Sequence, residues 1–150
     1  MHDPIIRNAL EKDLCAIKML ADANKTELGF VLLPALQAAI TEGRVMTVVL
    51  NARVVGFLHF RHRKDHVTKI YQICVDIGYR RHHYGSLLIR SVENLARERK
   101  QLSICLACPQ DLEANSFYKR LGFSVREIDP GNSRALVIWH RPVRGASEEA

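Results

Sequence analysis

Residues 72–88 combine the residue types and the order of elements that an anion-binding turn needs. An apolar strand-like run leads into the basic residues 80–83 and from there directly into an amphipathic helical pattern. The first turn of a helix has backbone N–H groups without intrahelical partners and carries the positive end of the helix dipole. Gly85 lets a ligand approach the chain closely because it has no side chain. The segment therefore predicts a phosphate site formed by backbone N–H groups together with Arg80 and Arg81.

Two segments of the chain resemble the signature of GNAT-type N-acetyltransferases. In that family the acetyl-CoA pyrophosphate turn has Arg or Gln, two residues, Gly, one residue, and then Gly or Ala. Arg80 and Gly85 match this pattern, and His83 stands where the first Gly is usual. Downstream, residues 111–123 are similar to a later family helix, which ends in Tyr, two residues and Leu-Gly-Phe or a close variant. The resemblance extends over residues 4–142.

The resemblance implies an acyltransferase that takes acetyl-CoA as its cosubstrate and moves the acetyl group directly to a primary amine, with no metal ion. It also implies which residues hold the cofactor. Backbone groups of the strand before the turn would pair with the pantetheine arm, namely those of Ile73, Cys74 and Val75. The pyrophosphate cradle would consist of Arg80, Arg81, His82, His83, Tyr84, Gly85 and Ser86.

Tyr118 aligns with the general acid of the family, since a phenol can protonate the departing thiolate. Many family members place a cofactor-contacting Asn seven residues before this Tyr, where the chain has Asp111. Asn115, one helical turn before Tyr118, is the preferred cofactor contact. The alternative for Tyr118 is a packed core aromatic, because Phe117 and Leu121 suggest a buried helix face.

The sequence leaves the general base and the acceptor open. Candidate bases are Glu27, His59, His66 and Tyr71, of which His is best matched to neutral pH, and the amine can also lose its proton to water. Acceptor specificity is expected to lie in two loops, residues 24–31 and 61–66. A polyamine, an antibiotic, an amino acid and a protein amine all fit. The alternative to an enzyme is an inactive CoA-binding regulatory protein, and a homodimer is left open.

The composition is that of one globular domain. The chain has 150 residues, 47% of them hydrophobic, and no segment approaches the roughly 20 apolar residues that cross a bilayer. We therefore expect a domain over residues 1–142, a disordered tail at 143–150, and no membrane partner. The start of the chain has no signal-peptide pattern, which favours a cytoplasmic location.

The formal net charge of +6 favours anionic partners. Much of the basic density lies in residues 61–64 and 80–83, and the phosphates of coenzyme A explain such compact clusters without nucleic acid. A nucleic-acid module would need aromatic residues interleaved with surface Arg and Lys, a pattern that this sequence lacks. The four cysteines lack the paired spacing of a zinc site: Cys15, Cys74, Cys105 and Cys108. We predict that they are small buried side chains.

Hydrophobic periodicity predicts the elements of the fold. Helices are expected over 12–23 with Asp13 as a cap, from Pro34 to a stop at Gly43, over 84–99, and from a cap at Asp111 to a stop at Gly122. Strands are expected over 5–8, 45–50, 54–60, 67–76, 102–108, 124–128 and 135–141. The helical crossover between 67–76 and 102–108 predicts a parallel pair. These elements predict the α/β fold class, with a mixed, mostly antiparallel sheet flanked by helices, and the family resemblance implies a GNAT-like domain in which the parallel strand pair is splayed.

Overall fold

The computed structural model describes residues 3–145. Its strands are β1 (Ile5–Asn8), β2 (Val45–Leu50), β3 (Arg53–His62), β4 (Val67–Val75), β5 (Ser103–Pro109), β6 (Ser124–Asp129) and β7 (Leu136–Pro142). Its α-helices are α1 (Leu14–Ala23), α2 (Lys25–Leu28), α3 (Leu33–Thr41), α4 (Tyr84–Glu98) and α5 (Ala114–Arg120). Short 3-10 helices, Glu11–Asp13 and Ile77–Tyr79, come before α1 and α4.

The seven strands form a sheet in the order β1-β2-β3-β4-β5-β7-β6. The β4–β5 pair is parallel, with Val67 opposite Ser103 and Ile70 opposite Leu106. The pairs β1–β2, β2–β3, β5–β7 and β6–β7 are antiparallel. The predicted fold class and the predicted parallel pair are therefore confirmed.

The chain divides into two compact units. Unit one consists of Met1–Phe60 and Gln72–Val92, and unit two of Arg61–Tyr71 and Glu93–Ala150.

The core of unit one lies between its helices and one face of its strands. Ile17 of α1, Leu36 of α3, and Val45 and Phe57 of the sheet are at most 1% exposed and belong to one apolar cluster. Burying side chains of this size contributes about 1.5–3 kcal/mol each. Gly43, with φ 73°, adopts the left-handed conformation that ends α3, as predicted.

The core of unit two is built on strand alternation and aromatic packing. In β5, Ile104 and Leu106 are buried whereas Ala107 is exposed, because alternate residues face opposite sides of the sheet. On the buried side, the ring of Tyr118 lies 6.1 Å from that of Phe123 and 6.4 Å from that of Trp139. This packing fixes α5 on one face of the β5-β7-β6 strands.

A buried carboxylate in unit two orders the residues after β7. Glu93 is fully buried and accepts hydrogen bonds from Arg141 Nη2 and from the backbone N–H of Arg144, each at 2.9 Å. Burial alone would raise the pKa of Glu93, but the bonds from Arg144 and the charge of Arg141 hold it below its usual range. The expected disorder thus does not extend to Val143, whose N–H donates to Leu102 O, or to Arg144, because a buried charge needs partners. Residues 146–150 of the predicted tail lie outside the described residues.

Two predicted capping residues act elsewhere. Asp13 does not cap α1; its carboxylate accepts from Leu10 N–H and from Arg7 at 2.7 Å, and the hydrogen bond from Arg7 lowers the pKa of Asp13. Asp111 does not cap α5, which begins only at Ala114, and it pairs instead with Arg134 at 2.8 Å. In both cases an arginine provides a charged partner that competes with the local cap: Arg7, six residues before Asp13, and Arg134, 23 residues after Asp111.

Three further observations complete the fold. The predicted loop over residues 24–31 contains the short helix α2. Cys15 is exposed and Cys105 is half-buried, so the prediction that all four cysteines are buried holds for Cys74 and Cys108 and was wrong for Cys15. No helix within residues 3–145 has the length and apolar character needed to cross a membrane.

Candidate active site

The turn that follows β4 has the backbone conformation of an anion-binding nest. Arg81 and His83 have φ angles of 69° and 66°, whereas Arg80 has a φ of −71°. Positive and negative φ angles that alternate along a turn bring successive N–H groups together, which produces a concave site for anions. The position where His83 replaces the usual Gly is therefore left-handed, a conformation that His adopts more readily than most side chains.

The first turn of α4 supplies further donors next to this nest. Helical bonding begins where Leu87 N–H donates to His83 O at 3.0 Å. The N–H groups of Tyr84, Gly85 and Ser86 precede that bond, so they have no acceptor within the helix. Together with the helix dipole they favour an anion at this end of α4. These residues therefore fit the pyrophosphate of coenzyme A, and α4 is long enough, at 15 residues, for its dipole to contribute.

The remaining cradle side chains lie at the surface of this turn. Arg81, His82 and His83 are exposed, and the ring of His82 stacks on that of Tyr84 with 5.7 Å between centroids. Gly85 and Ser86 are half-buried. All seven predicted cradle residues thus belong to one continuous turn and helix start.

Arg80 is engaged within the protein. Its Nε donates to Val75 O at 2.9 Å, its Nη2 donates to Asn24 Oδ1 at 2.9 Å, and its Nη1 lies 3.7 Å from Glu27 Oε1. The guanidinium thereby connects the last carbonyl of β4 with the α1–α2 segment. These bonds favour a positioning role for the side chain, and its predicted contact with phosphate stays a prediction.

A second contact fixes the same turn from β3. Asp76 Oδ1 accepts from Gly78 N–H at 3.2 Å, and its Oδ2 lies 3.3 Å from Arg53 Nη2. The guanidinium carbon of Arg53 also lies 5.5 Å from the ring centroid of Tyr79. The conformation of the turn is thus set before any ligand binds.

The predicted pantetheine contacts on β4 involve backbone groups and not reactive side chains: Ile73, Cys74 and Val75. Cys74 is 6% exposed and packs in the apolar cluster of unit one. Burial raises the pKa of its thiol to about 11, against the opposing effect of Arg80. A Cβ at Gly56 would lie 3.0 Å from Cys74 O, so this glycine permits the close approach of β3. The thiol is therefore protonated at neutral pH and is a poor nucleophile.

Tyr118 lies on α5 in a dense aromatic environment. It is 6% exposed, with the ring of Phe117 at 5.3 Å in addition to those of Phe123 and Trp139. Rigid packing of this kind limits the phenol to few orientations. The position agrees with both interpretations of the sequence, because a core aromatic can still present its hydroxyl to a substrate.

Asn115 uses its whole amide within unit two. Its Nδ2 donates to Pro109 O and to Leu112 O, each at 2.9 Å, and its Oδ1 accepts from Trp139 Nε1 at 2.8 Å. These bonds fasten the start of α5 to the end of β5 and to β7. The side chain braces the helix that carries Tyr118, and its predicted contact with the cofactor stays a prediction.

The candidate bases differ in how they are engaged. Glu27 faces Arg80, and His59 has both ring nitrogens within hydrogen-bond distance of side chains, Nε2 at 3.0 Å from Arg44 and Nδ1 at 3.1 Å from Gln72. Because Arg44 can only donate, Nε2 of His59 acts as its acceptor and is not available to take a proton from an amine. His66 is exposed, with a φ of 65°. Tyr71 is 42% exposed with Lys69 Nζ over its ring.

Sequence reasoning missed the bond between Arg80 and Asn24. The two residues are 56 positions apart, so no local spacing predicts their contact. The available signal was that Arg80 follows the 3-10 helix Ile77–Tyr79 and Asn24 follows α1, since polar side chains at helix ends satisfy backbone or side-chain partners.

Comparison with known proteins agrees with this geometry. The model of the acetyltransferase (GNAT) family matches residues 16–123. No curated protein sequence matches the chain. Ard1 from Thermoplasma volcanium is 26% identical with a TM-score of 0.86, over 95% of this chain and 99% of that one.

Two further solved structures share the fold. The ribosomal-protein-S18-alanine N-acetyltransferase from Escherichia coli has a TM-score of 0.79 at 18% identity, over 99% of each chain. The PaiA N-acetyltransferase from Thermoplasma acidophilum, solved with coenzyme A, has a TM-score of 0.74 at 15% identity, over 94% of this chain and 99% of that one. Since the family model covers more than half of the residues, the chain belongs to the GNAT acetyltransferase family.

Proposed function

We propose that the protein is an N-acetyltransferase that moves an acetyl group from acetyl-CoA directly to a primary amine. As a family member it is an acyltransferase with acetyl-CoA as its cosubstrate. The observation that carries the proposal is the β4–α4 turn, where alternating φ angles and the first turn of α4 gather backbone donors. The family and the likeness to N-acetyltransferases do not favour an inactive regulatory protein.

In this proposal, residues 80–86 hold the pyrophosphate mainly through the backbone. The N–H groups at the start of α4 donate to the phosphate oxygens, and the exposed Arg81 adds a positive charge. Arg80 contributes indirectly, because its bonds to Val75 and Asn24 fix the turn. Bound acetyl-CoA supplies an activated acetyl thioester, and backbone N–H groups of Ile73–Val75 polarise its carbonyl.

Tyr118 is the proposed general acid. Once the amine attacks and the C–S bond breaks, the thiolate needs a proton, and a phenol held rigidly by Phe117, Phe123 and Trp139 can donate it. Asn115 positions this phenol by bracing the start of α5. No side chain is assigned as the general base, since the amine can lose its proton to water.

The state of Cys74 supports direct transfer. A mechanism through an acetylated enzyme needs a nucleophile beside the thioester, and the thiol of the cofactor strand is buried with its pKa raised to about 11. The amine is therefore proposed to attack acetyl-CoA in a ternary complex, without a covalent enzyme intermediate.

The test measures release of free CoA with and without an amine. Candidate acceptors are spermidine, Nα-acetyl-lysine and a short peptide with a free N-terminus, each over a range of acetyl-CoA concentrations. We expect release that depends on an amine, intersecting initial-velocity lines, and full activity of Cys74→Ala. Parallel lines with CoA release in the absence of amine would overturn direct transfer. Binding of acetyl-CoA with no accepted amine would favour a regulatory role.

A further inference from the structure

The excess positive charge outside the pyrophosphate turn concentrates in residues 61–71. This segment has four cationic side chains and one carboxylate: Arg61, Arg63, Lys64, Lys69 and Asp65. Residues 1–60, by contrast, contain equal numbers of basic and acidic residues. The segment thus carries half of the formal net charge of +6, and the proposed contact at residues 80–86 leaves it unexplained.

The hairpin between β3 and β4 holds these cations on a fixed backbone. Arg63 N–H donates to Val67 O at 2.9 Å, which closes the hairpin. Its tip is fastened to the segment before β5, where Leu102 N–H donates to His66 O at 2.7 Å and Gln101 Nε2 donates to Arg63 O at 3.3 Å. Exposed charges on such a backbone need little ordering when they bind a ligand.

The ion pair within the hairpin leaves its arginine accessible. Arg63 contacts Asp65, but the two side chains are 42% and 48% exposed. An exposed pair of this kind contributes about 0–1 kcal/mol. A ligand carboxylate can therefore compete for the guanidinium, which binds carboxylates through paired hydrogen bonds.

The cationic surface continues onto the neighbouring strands of unit two. Lys69 lies opposite Cys105 in the parallel register, and its Nζ is 5.4 Å from the ring centroid of Tyr71. Burial raises the pKa of the Cys105 thiol, whereas the charges of Lys69, Arg63 and Arg126 act to lower it. Cations of the hairpin, of β4 and of β6 thus all act on Cys105, together with the opposing charge of Asp65.

We propose that this basic hairpin surface, formed by Arg61, Arg63, Lys64, Lys69 and Arg126, binds an acidic segment of a polypeptide. This inference rests on the proposed function in one respect: the polypeptide is taken to be the amine acceptor. The cations are spread over a hairpin and two strands, an arrangement that matches carboxylates spaced along an extended peptide. The half-exposed ring of Tyr71 offers an apolar contact for the same peptide.

A nucleic acid is matched less well to this surface. Single strands bind through several exposed aromatic faces on which bases stack. Among the exposed large apolar side chains in the described part of unit two, Tyr71 is the one aromatic, and Lys69 already lies over its ring.

The test measures binding of labelled peptides by fluorescence anisotropy, with no acetyl-CoA present. The probes are a twelve-residue peptide with six Glu, the same peptide with Gln in their place, and a single-stranded RNA of similar charge. We expect the Glu peptide to bind at least about tenfold tighter than the Gln peptide and the RNA, and its affinity to fall as salt rises.

Charge-reversal variants locate the interaction. The double variant Lys64→Glu with Arg126→Glu should bind the Glu peptide at least about tenfold more weakly than the parent protein does. The control, Lys12→Glu with Arg90→Glu, changes the net charge equally at exposed positions of unit one and should leave affinity within about twofold. Equal losses in both variants, RNA binding as tight as the Glu peptide, or no peptide binding would each overturn the proposal. Acetyl-CoA titration and turnover on the same samples separate this failure from failure of the proposed function.

Discussion

The β4–α4 turn of unit one and helix α5 of unit two both carry signature residues of the family, but they use them differently. In the turn, the signature side chain of Arg80 is bound to Val75 and Asn24, and the N–H groups at the helix start have no helical acceptor. In α5 the amide of Asn115 is engaged within the fold, and the aromatic ring of Tyr118 is packed. This difference is the basis of our proposal that the turn binds through its backbone and that α5 acts through the phenol of Tyr118.

Among the variants that only remove side-chain groups, the largest expected effect tests the phenol. Tyr118→Phe keeps the aromatic packing and removes the hydroxyl, so turnover should fall by about 100-fold because general acid catalysis contributes at least that much. Acetyl-CoA affinity, measured by calorimetry, should stay within about twofold. The matched control is Tyr79→Phe, which removes a hydroxyl elsewhere and should keep full turnover. Equal activity of Tyr118→Phe and the parent would remove the acid role.

Asn115→Ala tests whether α5 depends on its internal bonds. The change removes donors to Pro109 O and Leu112 O and leaves Trp139 Nε1 without its acceptor. The free energy of unfolding should fall by about 2 kcal/mol, as measured by urea denaturation. Asn94→Ala, at an exposed site that bonds Arg97, should change it by less than about 0.5 kcal/mol. Unchanged stability with weaker acetyl-CoA binding would instead indicate a direct cofactor contact.

Arg80→Ala tests the positioning role of the guanidinium. Without its bonds to Val75 and Asn24 the turn loses its fixed conformation, so acetyl-CoA should bind at least tenfold more weakly, about 1.4 kcal/mol. Asn24→Ala should also weaken acetyl-CoA binding, but by less than Arg80→Ala does. In a double-mutant cycle the two losses should not add, because both residues act through one contact. Full additivity would mean that Arg80 acts on the phosphates directly.

His83→Gly is expected to have the smallest effect. The residue has a φ of 66°, a conformation that Gly adopts at no steric cost and that strains other residues by about 1 kcal/mol. Acetyl-CoA affinity should be unchanged or rise by up to about fivefold. At the exposed neighbour, His82→Gly should give no gain, because His82 is not among the residues with positive φ. A loss of affinity in His83→Gly would mean that the imidazole contacts the phosphates.

The sequence predicted most of the elements, because each has a strong local pattern. The helix from Tyr84 and the strand from Val45 to Leu50 follow the expected boundaries. The errors arose where a charged partner outside the helix decides the outcome. Asp13 and Asp111 were expected to cap helices, yet Asp13 pairs with Arg7, six residues before it, and Asp111 with Arg134, 23 residues after it.

The candidate site was predicted unevenly for the same reason. The turn at residues 80–86 follows from a strand, a basic run and a helix start, all readable from neighbouring residues. The left-handed conformation of Arg81 and the link from Arg80 to Asn24 depend on tertiary contacts. One of the bonds that engage Asn115 comes from Trp139, 24 residues away, so this part of its bracing role was not visible in the helix pattern.

The most direct test of backbone binding by the turn is a calorimetric titration of Gly85→Asp with acetyl-CoA. Aspartate in the first turn favours the helix dipole, so the protein should fold, while its charge repels the pyrophosphate. Ala35→Asp places the same charge in the exposed first turn of α3 and is the matched control. We predict one-to-one binding by the parent and the control, and a loss of more than about 100-fold in Gly85→Asp. Equal affinity in all three proteins would contradict the assignment of the turn.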